Sequence, residues 1–196
     1  EAIAKAAGDL NLYSDPECKK LVDAIAEYYG VSAKNVIATN GSDEILNFAF
    51  MAFCDEEHPA IFADVTYGFY PVFAELNGIP YEQIPLRDDF TINVEDYIGI
   101  CNNVFIANPN APTGIALKPS EIEEIIKSNP DNIVVIDEAY VDFGNESVVS
   151  LIHKYSNLLV TQTFSKSRSM AGARLGFGIG CKKLIAVIPR PAMKKR

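Results

Sequence analysis

Two kinds of apolar pattern alternate along the chain. Short β-rich runs, most of them apolar as in buried strands, alternate with segments whose apolar residues recur at helical spacing. The predicted strands are Val36–Thr39, Ala60–Ala63, Tyr81–Ile84, Val104–Ala107, Ile133–Ile136, Leu158–Thr161 and Leu175–Ile179. The predicted helices run from Ser14–Glu17 to Gly30, from Gly41 through Phe53, from Phe69 to Leu76, near Ser120–Lys127 and, as a short helix, around Val148–Tyr155. This order predicts an α/β fold with a mainly parallel sheet covered by helices on both faces.

The composition agrees with a compact globular domain. The chain has 196 residues, of which 48% are hydrophobic and 22% charged, which excludes disordered and collagen-like classes. Its four cysteines are widely spaced, so neither a disulfide framework nor a metal site is expected. No apolar run approaches the roughly 20 residues that span a bilayer, and the amino terminus does not resemble a signal peptide. We therefore expect a cytoplasmic protein without a membrane partner.

Charge is distributed unevenly. The chain carries 26 acidic and 17 basic residues, and its net charge is −9. An acidic body repels phosphate backbones, so nucleic acid is not an expected partner. Basic residues concentrate after residue 181, where Pro189 and Pro191 disfavour a helix. Residues 181–196 are therefore predicted to form a solvated basic tail with no domain assigned.

Candidate chemistry lies after the predicted strands, because ligands of such sheets bind at the carboxyl ends of the strands. Asp137 directly follows a buried apolar strand, where an unpaired carboxylate is costly and calls for a cationic partner. Lys166 follows the next strand and is placed to face the same cleft. A lysine in a partly desolvated cleft is a nucleophile that forms a Schiff base with a carbonyl.

Anion-binding groups accompany this pair. Gly41-Ser42-Asp43 opens a helix directly after a strand, and its free N–H groups suit a phosphate. Ser165 and Arg174 are placed to close on the same phosphate. Tyr67 offers a flat ring, and Tyr140 a phenol that donates to a phenolate oxygen. A ring-bearing phosphate with an aldehyde satisfies all of these groups, with Asp137 paired to a protonated ring nitrogen, so pyridoxal phosphate is the expected cofactor.

Other readings of the same residues are weaker. Taken singly, Asp137 is an ordinary helix cap, the tyrosines are half-buried aromatics, and the glycines at 176, 178 and 180 ease strand packing. A phosphate-loop nucleotidase requires a Gly-Lys pair, which the sequence lacks. A serine hydrolase of the nucleophile-elbow type requires a G-x-S-x-G motif, which is also absent.

An ordered set of segments resembles the fold-type I pyridoxal-phosphate aminotransferases, and within them the histidinol-phosphate aminotransferases. The matching segments are Leu12–Pro16, Gly41–Glu44, Thr66–Tyr70, Asn108–Gly114, Val135–Tyr140, Thr163–Ser167 and Ala171–Gly176. The resemblance implies transamination between histidinol phosphate and 2-oxoglutarate, that is, a small-molecule amino donor and a 2-oxo acid acceptor. It also implies an N-terminal arm (1–12) and a cofactor-binding large domain (13–180).

The resemblance also assigns roles to residues. Lys166 would hold the cofactor covalently and move the substrate proton, Asp137 would keep the ring nitrogen protonated with a depressed pKa, and Tyr140 would bind the phenolate oxygen. Tyr67 would stack on the ring. The phosphate would be held by the amides of Ser42 and Asp43, by Ser165 and by Arg174. Tyr13 would reach the phosphate of the neighbouring subunit, which implies a homodimer.

The chain departs from the family pattern at two points. Ala111 stands where the family often has an Asn, so the phenolate oxygen would rest on Tyr140, with help from Asn110. The resemblance ends after Gly180, before the small domain that holds the substrate carboxylate. Two alternatives therefore stay open, a threonine-phosphate decarboxylase-like enzyme and a truncated domain that only binds cofactor or dimerises.

Overall fold

The computed structural model describes residues 1–189, apart from the side chain of Ala2. Its strands are β1 (Val36–Thr39), β2 (Ala60–Ala63), β3 (Tyr81–Ile84), β4 (Asn103–Ala107), β5 (Val134–Asp137), β6 (Leu158–Thr163) and β7 (Gly176–Gly180). Its α-helices are α1 (Ala2–Ala6), α2 (Lys19–Tyr29), α3 (Ser42–Phe53), α4 (Phe69–Asn77), α5 (Pro119–Ser128) and α6 (Lys182–Val187). Short 3-10 helices cover Ala7–Asp9, Ala33–Asn35, Val94–Tyr97, Val141–Phe143, Val149–His153 and Ala171–Ala173. Within residues 1–189, no helix has the length and apolar character needed to cross a bilayer.

The strands form one sheet in the order β1-β7-β6-β5-β4-β2-β3. All neighbouring pairs from β6 through β5, β4 and β2 to β3 are parallel, whereas β7 runs antiparallel to both β6 and β1. The prediction of a mainly parallel sheet is therefore confirmed. The reversed strand has a consequence for the site, because the segment before β7 lies at the same edge as the carboxyl ends of the parallel strands.

Helices cover both faces of the sheet, as the sequence predicts. Successive residues of a strand point to opposite faces. On β4, Val104 and Ile106 pack with the apolar residues of α2 and α5. Phe105 and Ala107 face the other side, where α3, α4 and α6 pack. This alternation also decides which face receives each polar side chain at the end of β5.

The first long helix begins later than the sequence suggests. The pattern predicts a start at Ser14–Glu17, but α2 begins at Lys19. The Asp15 carboxylate accepts hydrogen bonds from the N–H groups of Glu17 and Lys19, at 3.1 and 2.8 Å. Cys18 then takes a left-handed conformation, with φ of 47°. Asp15 therefore stabilises a turn before the helix, since Asp side chains bond readily to nearby backbone amides.

The prediction of a solvated tail is wrong for residues 182–188. These residues include helix α6, in which Leu184 and Ile185 are buried, and Ile188 is buried directly after it. A Cβ built on Gly180 would lie 3.2 Å from the Leu184 side chain, so the helix packs closely on β7. The segment combines basic residues with a short apolar stripe formed by Leu184, Ile185 and Ile188. Residues 190–196 lie outside the described part of the chain.

Candidate active site

A cleft opens at the carboxyl edge of the parallel strands. It encloses about 560 Å³ of space, open solvent included. Every predicted site residue except Tyr13 and Asn110 lines it. The lining residues are Ser42, Asp43, Tyr67, Ala107, Pro109, Ala111, Asp137, Ala139, Tyr140, Thr163, Ser165, Lys166 and Arg174.

The amino-terminal end of α3 forms one wall of the cleft. Gly41 precedes the helix with φ of 83°, and within the described chain no side chain caps the first turn. A Cβ on Gly41 would lie 2.7 Å from a guanidinium nitrogen of Arg174, and a Cβ on Gly176 would lie 2.3 Å from the Gly41 carbonyl carbon. Only glycine fits at both positions. The missing side chains let the helix end and Arg174 approach each other, which builds an anion-binding corner.

Asp43 connects two other predicted residues in this corner. The Tyr67 hydroxyl donates to one Asp43 oxygen at 2.8 Å, and the Arg174 guanidinium lies 3.5 Å from the other oxygen. Burial and the Asp43 carboxylate both raise the pKa of Tyr67, which therefore stays protonated at neutral pH. Asp43 thus orients the ring of Tyr67 and the guanidinium of Arg174 at the cleft mouth.

Asp137 lies at the base of the cleft and is 4% exposed. It accepts hydrogen bonds from the Tyr70 hydroxyl at 3.3 Å and from the Thr161 hydroxyl and the Ala139 N–H, each at 3.2 Å. These donors are all neutral, and no ion pair within residues 1–189 involves Asp137. Burial raises the pKa of Asp137 to about 6. The carboxyl therefore lacks the cationic partner that its burial calls for.

Lys166 and Tyr140 face each other across the cleft. The Lys166 ammonium lies 5.3 Å from the centre of the Tyr140 ring. Lys166 is exposed, so the expectation of a partly desolvated lysine is wrong for the chain as described. Lys166 lies in the turn after β6 and lines the same cleft as Asp137.

Glu138 follows Asp137 but points to the opposite face of the sheet. It is 2% exposed. It accepts bonds of 2.7 Å each from the Ser147 hydroxyl, the Val148 N–H and the Gln162 side-chain amide. Burial raises the pKa of Glu138 to about 7. This carboxyl is fully hydrogen-bonded and does not line the cleft.

Asn110 does not help at the phenolate position. Its side chain accepts from the Thr66 hydroxyl at 2.7 Å and donates to the Val65 carbonyl at 2.9 Å and to Thr113 at 3.2 Å. The amide therefore ties the segment after β2 to the segment after β4. Ala111 does line the cleft. The expectation that Asn110 assists Tyr140 is wrong, because both ends of its amide are already used.

Tyr13 lies away from the other predicted residues. Its side chain is 96% exposed, and it does not line the cleft. The side chains of residue 1 and of residues 3–20 are all exposed. The structure of the single chain therefore leaves the role of Tyr13 as a prediction.

Sequence reasoning missed two residues that hold Asp137. Thr161 lies directly beside Asp137 in the register of β5 and β6, a relation that requires the strand pairing. Tyr70 is fully buried on α4. A buried tyrosine hydroxyl needs a hydrogen-bond partner, which signals a polar group nearby without saying which one.

Comparison with known proteins agrees with this geometry. The family model "Aminotransferase class I and II" matches residues 1–191. The chain belongs to this family. Class I and II aminotransferases use pyridoxal 5'-phosphate. Within the described residues, no group of three or more His, Cys, Asp or Glu side chains is arranged to hold a metal ion.

The chain is similar to individual proteins of known name and to solved structures. The chain is 52% identical over 180 residues to "Histidinol-phosphate aminotransferase 2" of Gluconobacter oxydans, covering 92% of this chain and 51% of that protein. It is similar to the solved histidinol-phosphate aminotransferase of Sinorhizobium meliloti in complex with pyridoxal-5'-phosphate, with 25% identity, TM-score 0.87, and coverage of 94% and 52%. The L-threonine-O-3-phosphate decarboxylase of Porphyromonas gingivalis shares the fold at 21% identity, TM-score 0.85, with coverage of 95% and 59%. The chain spans about half the length of the curated relatives it matches.

The residues of the cleft fit the family cofactor. A buried carboxyl without a cation suits a protonated ring nitrogen. The uncapped end of α3, with Arg174 beside it, suits a phosphate. Two glycines keep that corner open where a Cβ would close it.

Proposed function

We propose that this chain is the cofactor-binding part of a pyridoxal-phosphate-dependent histidinol-phosphate aminotransferase. The observation that carries the proposal is that Asp137 and Lys166 line one cleft together with Arg174 and the first residues of α3. The bound cofactor supplies an electron-accepting ring that stabilises negative charge on the substrate.

The proposal assigns the polar and aromatic residues of the cleft to different parts of the cofactor. Lys166 holds the cofactor and moves the proton at the substrate Cα. Asp137, as a carboxylate, keeps the ring nitrogen protonated, and Tyr140 donates to the phenolate oxygen. Tyr67 stacks on the ring. The phosphate is bound by the first amides of α3 at Ser42 and Asp43, by Ser165 and by Arg174.

Cofactor binding is tested by the visible absorption of the purified chain with added pyridoxal phosphate, before and after borohydride reduction. We expect a reducible band, and peptide mapping should place the label on Lys166. Lys166→Ala should lose the band. Lys127→Ala is the matched control, because Lys127 lies in the last turn of α5, outside the cleft. A label distributed over several lysines would contradict the proposal.

The substrate pair is proposed from the relatives. We infer that histidinol phosphate is the amino donor and 2-oxoglutarate the acceptor, with support from the 52% identity to a protein of that name. The decarboxylase neighbour, at 21% identity, supports only the fold. Assays with histidinol phosphate plus 2-oxoglutarate, and with threonine phosphate, separate the two reactions. Carbon dioxide release from threonine phosphate without amino transfer would contradict the aminotransferase proposal.

Turnover requires cationic groups that bind the substrates, in addition to those that bind the cofactor. Of the residues that line the cleft, Lys166 and Arg174 carry positive charge, and the proposal assigns both to the cofactor. The carboxylate of 2-oxoglutarate and the phosphate of histidinol phosphate need further cations. We therefore propose that the 196-residue chain binds cofactor more readily than it turns over substrate, and a turnover assay on this chain tests that directly.

We further propose a cytoplasmic homodimer in which the arm of residues 1–12 and Tyr13 extend to the partner's large domain. The exposure of Tyr13 supports this arrangement, since an aromatic ring that is 96% exposed is available to a second chain. Sedimentation velocity tests the dimer, and a Tyr13→Ala variant should bind pyridoxal phosphate more weakly. A monomer whose cofactor affinity is unaffected by Tyr13→Ala would contradict it.

A further inference from the structure

The turn that carries Lys166 is fastened to the segment that carries Tyr140. The Asp142 carboxylate lies two residues after Tyr140, in the 3-10 helix Val141–Phe143. It accepts hydrogen bonds from the Ser167 hydroxyl at 2.5 Å and from the Arg168 guanidinium at 3.0 and 3.4 Å. Ser167 and Arg168 are the two residues that follow Lys166.

Arg168 makes a second set of contacts behind the cleft. Its guanidinium donates to the side-chain oxygen of Gln162 at 3.0 Å. The same oxygen accepts from the Tyr29 hydroxyl at 2.7 Å. The guanidinium also lies over the rings of Phe164 and Phe177, at 4.8 and 5.6 Å from their centres. A planar fork that bonds two acceptors and stacks on aromatic rings is specific to arginine.

The Lys166 turn depends on these contacts for its position. Within the turn itself, the Ser169 N–H donates to the Lys166 carbonyl at 3.0 Å and the Met170 N–H donates to the Phe164 carbonyl at 2.9 Å. Those bonds shape the turn but do not tie it to β5. The tie between the turn and the Tyr140 segment is made by Asp142.

We propose that the Asp142–Arg168 pair is a positioning device that holds the Lys166 amine near the Tyr140 ring, in the cleft that Asp137 also lines. This inference rests on the proposed function, because it concerns the reach of Lys166 toward the carbonyl carbon of the cofactor. Neither Asp142 nor Arg168 lines the cleft, so both act through Lys166. Misplacement of a reacting group by about 1 Å can cost on the order of 100-fold in rate.

Two variants and two probes test the proposal. Arg168→Lys keeps the charge but loses the fork, and Asp142→Asn keeps one acceptor but loses the ion pair. Pyridoxine 5'-phosphate has the ring and phosphate but no carbonyl, so it reports binding without any bond to Lys166. Pyridoxal phosphate reports the carbon–nitrogen bond that the Lys166 amine forms with the carbonyl carbon as water is released.

We expect both variants to slow the formation of the borohydride-reducible bond by about tenfold or more. The pH midpoint of the visible absorption should also shift. Their affinity for pyridoxine 5'-phosphate should match that of the original chain, and Asp142→Glu should restore part of the rate. Glu123→Gln is the matched control, because it breaks the ion pair with Lys154 away from the cleft.

The outcomes separate the two proposals. If the original chain forms no reducible bond, the proposed function fails. If it forms the bond and both variants form it equally fast with the same pH midpoint, the positioning role is overturned. An equal loss of pyridoxine 5'-phosphate affinity and of bond formation would also overturn it, because that result indicates a purely structural pair.

Discussion

Asp137 and Glu138 are adjacent buried carboxyls at the end of β5, and they differ in the face of the sheet to which they point and in the lengths of their hydrogen bonds. Asp137 points to the face of α3 and α4, into the cleft, while Glu138 points to the opposite face. Each accepts three hydrogen bonds. Those of Asp137 are 3.2 to 3.3 Å long, whereas all three of Glu138 are 2.7 Å.

The difference distinguishes a buried carboxyl that lines a cleft from one whose partners are all internal. Burial raises both pKa values, to about 6 for Asp137 and about 7 for Glu138, so the pKa does not separate them. The lengths of the hydrogen bonds and the access to the cleft distinguish the two carboxyls. Glu138 is held by short bonds on a closed face, while Asp137 has long bonds and open space for a cation.

The largest expected effect concerns cofactor affinity. Asp137→Asn removes the carboxylate that we propose to pair with the protonated ring nitrogen, and loss of one partner of a buried charge pair costs roughly 2–5 kcal/mol. Affinity for pyridoxal phosphate should fall by about 30-fold or more. Glu138→Gln, one residue away, should leave it nearly unchanged. Absorbance titration of both variants measures this, and equal losses would remove the distinction between the two carboxyls.

The second effect concerns the free energy of unfolding, for which Glu138→Gln should be the more damaging of the two substitutions. In the original chain, one Glu138 oxygen accepts from the Val148 N–H and the other from the Gln162 side-chain amide. Whichever oxygen is replaced in Glu138→Gln, the new NH₂ group faces another N–H donor and loses a hydrogen bond. An unsatisfied buried group costs roughly 1–3 kcal/mol in the free energy of unfolding. Asp137→Asn avoids this conflict, since the Tyr70 hydroxyl can accept instead of donate.

Urea unfolding of the cofactor-free chain at pH 8 compares the two variants. Glu138→Gln should lower the free energy of unfolding. Asp137→Asn should leave it equal or raise it, because an ionised Asp137 is buried without a cation. Greater destabilisation by Asp137→Asn would show that Asp137 is the structural member of the pair.

The third effect is the pH dependence of Asp137. Its pKa is raised from 3.8 to about 6 in the fold, so the folded chain binds this proton more tightly than the unfolded chain does. The contribution to stability without cofactor is therefore present at low pH and is lost as pH rises through about 6. Cofactor binding needs the ionised form and should weaken below pH about 6, by up to about tenfold per pH unit.

Affinity measured from pH 5 to 8, with Asp137→Asn as the reference, isolates this titration from those of the cofactor phosphate and Lys166. The ratio of the two affinities should decline toward acid pH. A constant ratio across the range would contradict the role of Asp137.

The smallest effect concerns the long hydrogen bond from Tyr70. This bond lowers the pKa of Asp137 against the larger effect of burial. Tyr70→Phe should therefore raise the pKa further and shift the pH dependence of cofactor affinity upward by less than about one unit. Tyr81→Phe is a control, because the Tyr81 hydroxyl bonds to the exposed Glu75. No shift in Tyr70→Phe would mean that Thr161 and Ala139 alone hold the carboxylate.

Most strands and most cleft residues could be predicted from the sequence, because local pattern and chain order carry that information. The bounds of β1, β2 and β3 match the predicted runs. The strands β1 and β2 are visible as short apolar runs, and the edge strand β3 as a short run bounded by Pro80 and Pro85. The cleft residues were predicted because parallel strands bring their carboxyl ends to one edge. The start of α2 was missed because the Asp15 side chain competes for backbone amides. The helix α6 was missed because its apolar stripe is short, follows Lys182 and Lys183, and is closely followed by Pro189.

The sequence by itself determined the alternation of strands and helices, and with it the sheet edge at which the cleft residues meet. Local patterns are sufficient for this, since hydrophobic periodicity and helix ends depend on neighbouring residues. Only the tertiary structure decided which donors hold Asp137, where the Glu138 carboxyl finds its partners, and how Asp142 and Arg168 fasten the Lys166 turn. Those facts depend on strand register and on contacts between residues far apart in the chain, which no local pattern contains.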